Sequence, residues 1–281
     1  MKRRNFIKIS SAGMLAGMLT PRHILANMIP SNKIGLQLYS LRNEIKEDLE
    51  GSLKKISDIG YKNLEAAGYS DGKFYGMDPI DFKTLIEDLG MRLTASHVTF
   101  HKDDVAAVLQ AHREVGIDYI IWPWLNNEQR ASIQSYQEVA DKFNAIGKMC
   151  EDNGLRFGYH NHDFEFYPID DKIPYDLLLE STDPKLVCME IDLYWINYAG
   201  KDPLQYFENY PGRFELWHVK DMAAGEGKEM IEVGSGIIDY PSIFDHATTA
   251  GLKEFFVEQD IIKGDGFESV KSSFDFINSH L

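Results

Sequence analysis

Leu155-Arg156-Phe157-Gly158-Tyr159-His160-Asn161-His162-Asp163-Phe164-Glu165-Phe166 is the stretch on which the reading of the fold turns. Asn153-Gly154 ahead of it is a helix-stopping pair. The short apolar run at 155–158 reads as a strand, and the polar residues after it read as the loop at the strand's C-terminal end. Strand side chains alternate between faces, so His160 and His162 share one face and Asn161 takes the other. Glu165 stands three residues beyond His162, where the loop can curl its carboxylate back toward the same place. Histidine and carboxylate together suit a divalent metal such as Mn, Zn or Co. The same residues would also decorate a surface strand end with hydrogen-bonded rings, so the flanking chain has to separate the two.

On both sides of this stretch, strand-like and helix-like runs alternate from Lys33 onward. Strands are expected at Ile34–Tyr39, Tyr61–Ala66, Arg92–His97 and Tyr119–Trp122, then at the stretch itself, then at Lys185–Asp192, Arg213–Val219 and Glu254–Gln259. Helices are expected at 46–59, 78–89, 102–115, 129–152, 174–181, 202–209, 240–250 and 267–280. In the first of these, Leu49, Leu53, Ile56 and Ile59 recur at helical spacing, and Gly60 ends it. Strand–helix units repeated in this way over residues 33–281 predict one (β/α)8 barrel, an α/β TIM barrel. A doubly wound open sheet would want a Gly-rich phosphate loop after its first strand, and Gln37-Leu38-Tyr39-Ser40-Leu41-Arg42 is not one.

The N-terminus reads separately. Met1-Lys2-Arg3-Arg4-Asn5-Phe6-Ile7-Lys8 sets paired arginines ahead of an apolar run, Ile9 to Leu19, too short for the roughly 20 residues of a membrane span. This predicts a twin-arginine-type export signal over residues 1–26, hence a periplasmic protein with no stable membrane insertion once the signal is removed; an uncleaved helical anchor of the same orientation is the alternative. Residues 1–26 hold Lys2, Arg3, Arg4, Lys8 and Arg22 and no acids, so their removal takes the net charge from −15 to −20. A surface that acidic repels phosphate backbones, which argues against nucleic acid as a partner. Cys150 and Cys188 fall on a predicted helix and a predicted strand and read as buried free thiols.

In a barrel of this kind the site is built from the C-terminal ends of the strands. Nearly every expected strand ends in a polar or aromatic side chain: Gln37 and Tyr39, Glu65, His97, Trp122 and Trp124, the opening cluster, Asp192, His218 with Lys220, and Glu258 followed by Gln259 and Asp260. Glu165, Asp192, His218 and Glu258 stand at four successive strand ends, which converge only if the barrel is right. Three carboxylates and a histidine give a mixed O/N shell for one divalent ion (Mn, Mg, Co or Zn). Without a cation those carboxylates would repel one another strongly.

The set Tyr159-His160-Asn161-His162…Glu165, Glu190-Ile191-Asp192, Trp217-His218-Val219-Lys220-Asp221, Val233-Gly234-Ser235-Gly236 and Val257-Glu258-Gln259-Asp260 resembles the sugar phosphate isomerase/epimerase family of xylose isomerase-like TIM barrels. The resemblance spans about residues 33–281. It implies one divalent metal held by residues from the last four strands, with Asp192, His218 and Glu258 on matching positions. At the fifth strand the chain departs from the ketose epimerases, which carry a glutamate where His160 stands. Either Glu165 replaces it from the loop, the favoured expectation, or His160 is itself the ligand.

Sugar-active members of such a group imply removal of a proton beside a carbonyl, with the resulting anion stabilised by the cation. His160 or His162 would be the base. Lys220 would neutralise an oxygen or bind a hydroxyl, and Gln37, Glu65, His97, Trp122 and Gln259 would line the sugar pocket. An export signal and the lack of a Gly-rich or basic phosphate cluster point to a non-phosphorylated sugar or keto-sugar. The expected activity is isomerisation or epimerisation, with a lyase or hydratase acting on 3-keto-glycosides or inosose-like substrates as the rival. A catalytically silent sugar-binding barrel and a phosphodiester-cleaving enzyme are readings from other classes, the latter disfavoured by the charge. The expected partners are a small-molecule carbohydrate and, in a homodimer, a second copy of the chain.

Overall fold

Eight parallel strands alternate with helices in a computed structural model that describes residues 33–100 and 104–281; the expected signal at 1–26 lies outside the described residues. The strands are β1 (Ile34–Gln37), β2 (Asn63–Ala66), β3 (Arg92–His97), β4 (Tyr119–Trp122), β5 (Arg156–His160), β6 (Val187–Asp192), β7 (Leu216–Val219) and β8 (Glu254–Val257). Each pairs with its neighbours in sequence, and β1 pairs with β8 through Ile34↔Phe255, which closes the barrel. This is the (β/α)8 architecture expected from the alternation of runs.

The two parities of each strand do different work. One set of side chains, including Leu36, Leu64, Phe157, Tyr159, Met189, Ile191, Trp217, Val219 and Val257, packs outward against the helices in the main core. The other set fills the barrel: Ala95, Ile121, Cys188, Leu216 and Phe256 form a small apolar plug. Glycine makes room for the plug at two positions. A Cβ on Gly35 would lie 2.5 Å from the Phe256 ring, and one on Gly158 would lie 2.7 Å from Ile121 and 2.9 Å from Cys188. Two residues further along the same parity come Gln37, His97, His160, Glu190, His218 and Glu258, above the plug at the C-terminal mouth.

The helices are α1 (Arg42–Glu47), α2 (Leu49–Ile59), α3 (Pro79–Asp88), α4 (Val105–Val115), α5 (Ile133–Asp152), α6 (Pro174–Ser181), α7 (Leu193–Tyr198), α8 (Pro203–Asn209), α9 (Tyr240–Phe244), α10 (Ala247–Ala250) and α11 (Gly266–His280). Their differences from expectation have local causes. The expected helix 46–59 is preceded by α1 and interrupted at Asp48, which is extended (φ −150°) and caps α2 by accepting from the Gly51 N–H at 3.0 Å. The Asp192 carboxylate does the same for α7, a helix the hydrophobic pattern did not signal, by accepting from the Tyr194 and Trp195 N–H groups. β1 ends early because the Gln37 side chain takes the Tyr39 N–H and turns the chain into a 3-10 turn at Leu38–Leu41. The expected helix 240–250 is two short helices, with the His246 ring bonded back to the Ser242 carbonyl between them.

Cys150 and Cys188 are buried and unpaired, as expected. Among the described residues no helix is long and apolar enough to cross a membrane.

Candidate active site

At the barrel mouth a cavity of about 580 Å³ opens above the polar strand ends, lined in part by Tyr39, Tyr69, His97, Trp124, His160, His162, Lys220, Glu258 and Asp260. Its floor is a web of buried charge. The His218 imidazole lies between two carboxylates, with Nδ1 2.6 Å from Glu258 Oε2 and Nε2 2.6 Å from Glu65 Oε2. Lys220 Nζ is 2.6 Å from Glu258, 2.9 Å from Asp192 and 3.0 Å from Asp260. His97 Nε2 is 2.6 Å from Glu190 Oε2.

His160, Asp192, His218 and Glu258 are all buried, and each offers one ligand atom to a single group whose atoms lie within 4.8 Å of one another. Asp192 is well suited to this: its Oδ1 is used by the backbone N–H groups of α7, while Oδ2 faces His160 Nε2 at 3.6 Å. Two imidazole nitrogens and two carboxylate oxygens form a donor set that fits Zn, Mn or Co.

Glu165 does not join them. The residues after His162 form a 3-10 turn, Phe164–Phe166, that carries the Glu165 carboxylate to the outward side of β5. There it accepts from the Tyr159 hydroxyl and, at 3.0 Å, from the His162 N–H. Tyr159 has outward parity, so a side chain bonded to it cannot also reach the mouth. The expectation for Glu165 is therefore corrected: the fifth-strand member of the cluster is His160.

The expected pocket residues divide. His97 lines the cavity. Glu65 lies beneath it as the partner of His218 and, at 3.4 Å, of His97. Gln37 is buried on the same inner parity and holds the Tyr39 N–H. Trp122 points outward: its ring packs on Phe143 under the Lys142 ammonium and its indole N–H donates to the Trp124 carbonyl. Trp124, two residues on and 43% exposed, is the tryptophan at the pocket wall. Gln259 also turns away, bonded to the Ile261 carbonyl and the Ser269 hydroxyl, because it has the parity opposite to Glu258. Glu190 and Asp260 are the functional-looking acids that the strand-end reading assigned no role. Glu190 has the same parity as Asp192, one pleat deeper, and that parity was its signal.

The electrostatics follow from burial set against a few charges. Burial opposes ionisation of Glu190 and Glu258, yet His218, with His97 for the first and Lys220 for the second, holds both well below the ordinary carboxylate range. Burial and the neighbouring Glu190 push Glu65 up to about 7. Burial raises Asp192 to about 6 against the pull of Lys220 and His218. Burial also disfavours the charged forms of His218 and Lys220, but the surrounding carboxylates win and hold both well above their usual values. His162 goes the other way: burial and the Lys220 ammonium push it down to about 3, so its ring is neutral. His162 Nδ1 is buried with no hydrogen-bond partner. Burial, then His218, likewise lowers His160.

The loop beyond Lys220 is fixed by Asp221, whose carboxylate accepts from the N–H groups of Gly234, Gly236 and Ile238 at 2.9, 3.0 and 3.2 Å. A Cβ on Gly236 would lie 2.2 Å from Asp221 Oδ1, which accounts for the second glycine of Val233-Gly234-Ser235-Gly236.

Comparison with known proteins agrees with the barrel fold. The profile of the family described as xylose isomerase-like TIM barrel matches residues 53–279. A sugar phosphate isomerase/epimerase from Parabacteroides distasonis, of known crystal structure, is 30% identical and superposes with a TM-score of 0.77 over 90% of this chain and 95% of its own. The inosose dehydratase of Bacillus cereus is 25% identical over 252 residues, 80% of this chain and 79% of that protein. The 3-keto-D-glucoside 4-epimerase of E. coli is 16% identical, with a TM-score of 0.66 over 88% of this chain and 99% of its own. With a closed eight-stranded barrel and a profile match over most of its length, the chain belongs to the xylose isomerase-like TIM barrel family.

Proposed function

We propose that the protein is a divalent-metal-assisted lyase of the dehydratase type, acting on a non-phosphorylated keto-sugar or keto-cyclitol. The observation that carries this is the end of β5. An epimerase that deprotonates one face of a carbon and reprotonates the other wants two free acid–base groups across the substrate. Here β5 supplies His160, and the facing carboxylate, Glu258, is tied to both His218 and Lys220. An elimination needs one base and one group that assists the departing oxygen. His162 lines the cavity with a neutral ring, and Lys220 offers a fixed ammonium.

In this reading His160, Asp192, His218 and Glu258 hold the ion, which when bound polarises the substrate's carbonyl and neighbouring hydroxyl. His162 accepts the proton from the carbon beside that carbonyl. Lys220 hydrogen-bonds the departing oxygen, which leaves as water with the proton that His162 took, and Asp260 keeps the ammonium in place. Tyr39, Tyr69 and Trp124 supply flat apolar walls for a ring. Among the described residues lining the cavity, the one ammonium, Lys220, is already shared by three carboxylates, which leaves no free basic side chain there for a phosphate. The inosose dehydratases among the relatives support elimination from a ring ketone.

The test is to incubate the metal-loaded protein with inosose and with 3-keto-glucosides and follow the products by ultraviolet absorbance and mass. Loss of water or of the glycosidic alcohol, with a new conjugated enone, is expected. An isomeric product of unchanged mass would favour the second reading, epimerisation, which the keto-glucoside epimerase fold neighbour keeps in view.

A further inference from the structure

Directly beneath the cluster assigned to the ion, the barrel holds a second convergence of ligand atoms. Glu190 Oε2 is ringed by three imidazole nitrogens: His97 Nε2 at 2.6 Å, His160 Nδ1 at 3.2 Å and His218 Nε2 at 3.3 Å. A carboxylate oxygen has two lone pairs, so it cannot satisfy three ring N–H groups at once. Nor does it: His160 Nδ1, buried, has no hydrogen-bond partner despite the short distance. The second oxygen of Glu190 and the Oε1 of Glu65, both fully buried beside these rings, accept no hydrogen bond, the latter standing 3.4 Å from His97 Nε2. Unpaired polar atoms of this kind, sealed from water, are expensive unless something binds them.

The spacing indicates what would. Bonds of about 2.0–2.1 Å to nitrogen and oxygen place the ligands of a tetrahedral ion roughly 3.3 Å apart. The contacts from Glu190 to His160 and to His218 have that length, and His97, His160, Glu190 and His218 all place one ligand atom within 4.8 Å of the others. His160 and His218 belong to both clusters, but through opposite nitrogens. His160 turns Nδ1 to Glu190 and Nε2 to Asp192; His218 turns Nε2 to Glu190 and Nδ1 to Glu258.

We propose that the barrel has two alternative seats for one divalent ion: the outer, formed with Asp192 and Glu258, and an inner seat of His97, His160, Glu190 and His218, with Glu65 at its flank. Because each shared imidazole presents a lone pair to one side at a time, the seats are occupied in turn, not together. The inner shell, three nitrogens and one carboxylate, suits Zn or Co better than Mg or Mn. The ammonium of Lys220 lies over the outer carboxylates, not the inner ones, and so fills the outer seat's charge when the ion is below.

The test is metal content by elemental analysis, with the visible spectrum of the Co-loaded protein, on the full chain and three variants. Wild type is expected to bind about one Zn or Co per chain. Asp192→Asn/Glu258→Gln, lacking the outer carboxylates, is expected to keep that ion with an altered Co spectrum, while a further His97→Gln/Glu190→Gln removes it. Circular dichroism confirms that each variant is folded. A folded Asp192→Asn/Glu258→Gln protein that binds no ion while His97→Gln/Glu190→Gln binds normally would overturn the inner seat and leave the outer assignment standing. No ion in wild type or in any variant would overturn both.

Discussion

Lys220 and Glu165 differ in what they hold together, and substitution separates them. The Lys220 ammonium neutralises Asp192, Glu258 and Asp260, so Lys220→Met leaves three carboxylates facing one another. Removing one partner of a buried ion pair destabilises by about 3–5 kcal/mol. The expected result is a lower melting temperature for the metal-free variant, a larger rise than wild type on adding Zn, and turnover reduced by about 10²–10³. Calorimetry with and without the ion checks the first two. Glu165, by contrast, fastens Tyr159 and the His162 backbone. Burial pushes its pKa up to about 8, so it is largely neutral at pH 7 and Glu165→Gln is well tolerated. Glu165→Ala strands both donors and costs about 1–3 kcal/mol. Metal content is unchanged in either; a loss of the bound ion in Glu165→Gln would return the ligand role to Glu165. At this scale the sequence disclosed Asp192, His218, Glu258, His160, His162 and Lys220 as neighbours, because strand parity puts them on one side. It misplaced Trp122 and Gln259, which have the other parity, and Glu165, because the path of a loop is not written in a two-residue period.

The elements are legible where periodicity governs and less so where single side chains intervene. β3 and β4 run over the expected residues, and α6 and α11 differ by at most a residue at either end. The break at Asp48 and the extra helix α7 come from carboxylates that cap, a choice made by one hydrogen bond and not by the apolar pattern. Two predictions belong here. Gly158→Val would drive a branched side chain into Ile121 and Cys188 and destabilise by about 1–3 kcal/mol, measured by urea unfolding. His112 on α4 is buried between Tyr69 and Phe74, with its ring bonded to the Val108 carbonyl and the Ser96 hydroxyl. Burial pushes its pKa down to about 4, against about 6.5 in an unfolded chain. The unfolded state therefore binds more protons in that window, and stability falls as pH drops from about 6.5 toward 4. His112→Gln is expected to flatten that part of the profile; an unchanged slope would assign it to other groups.

For the whole molecule, a barrel whose mouth gathers carboxylates and imidazoles asks for a cation, and a cation beside a ring ketone makes a neighbouring C–H acidic. We propose, from the paired arginines near the N-terminus, that the protein is exported and meets free sugars. Detection of the protein in the periplasmic fraction, lost on replacing Arg3 and Arg4 by lysine, is the expected outcome for that proposal. What the sequence could not disclose at this scale is which reaction the site completes, since dehydration and epimerisation share their first proton transfer and differ in the groups that follow. That first transfer is the central claim, and proton NMR in heavy water measures it directly. With inosose or a 3-keto-glucoside, the Zn- or Co-loaded protein is predicted to put deuterium on the carbon beside the carbonyl, or to eliminate from it, and to stop when chelator strips the ion. A folded, metal-loaded protein that leaves those C–H bonds untouched, or one that exchanges them equally well after chelation, would contradict the account.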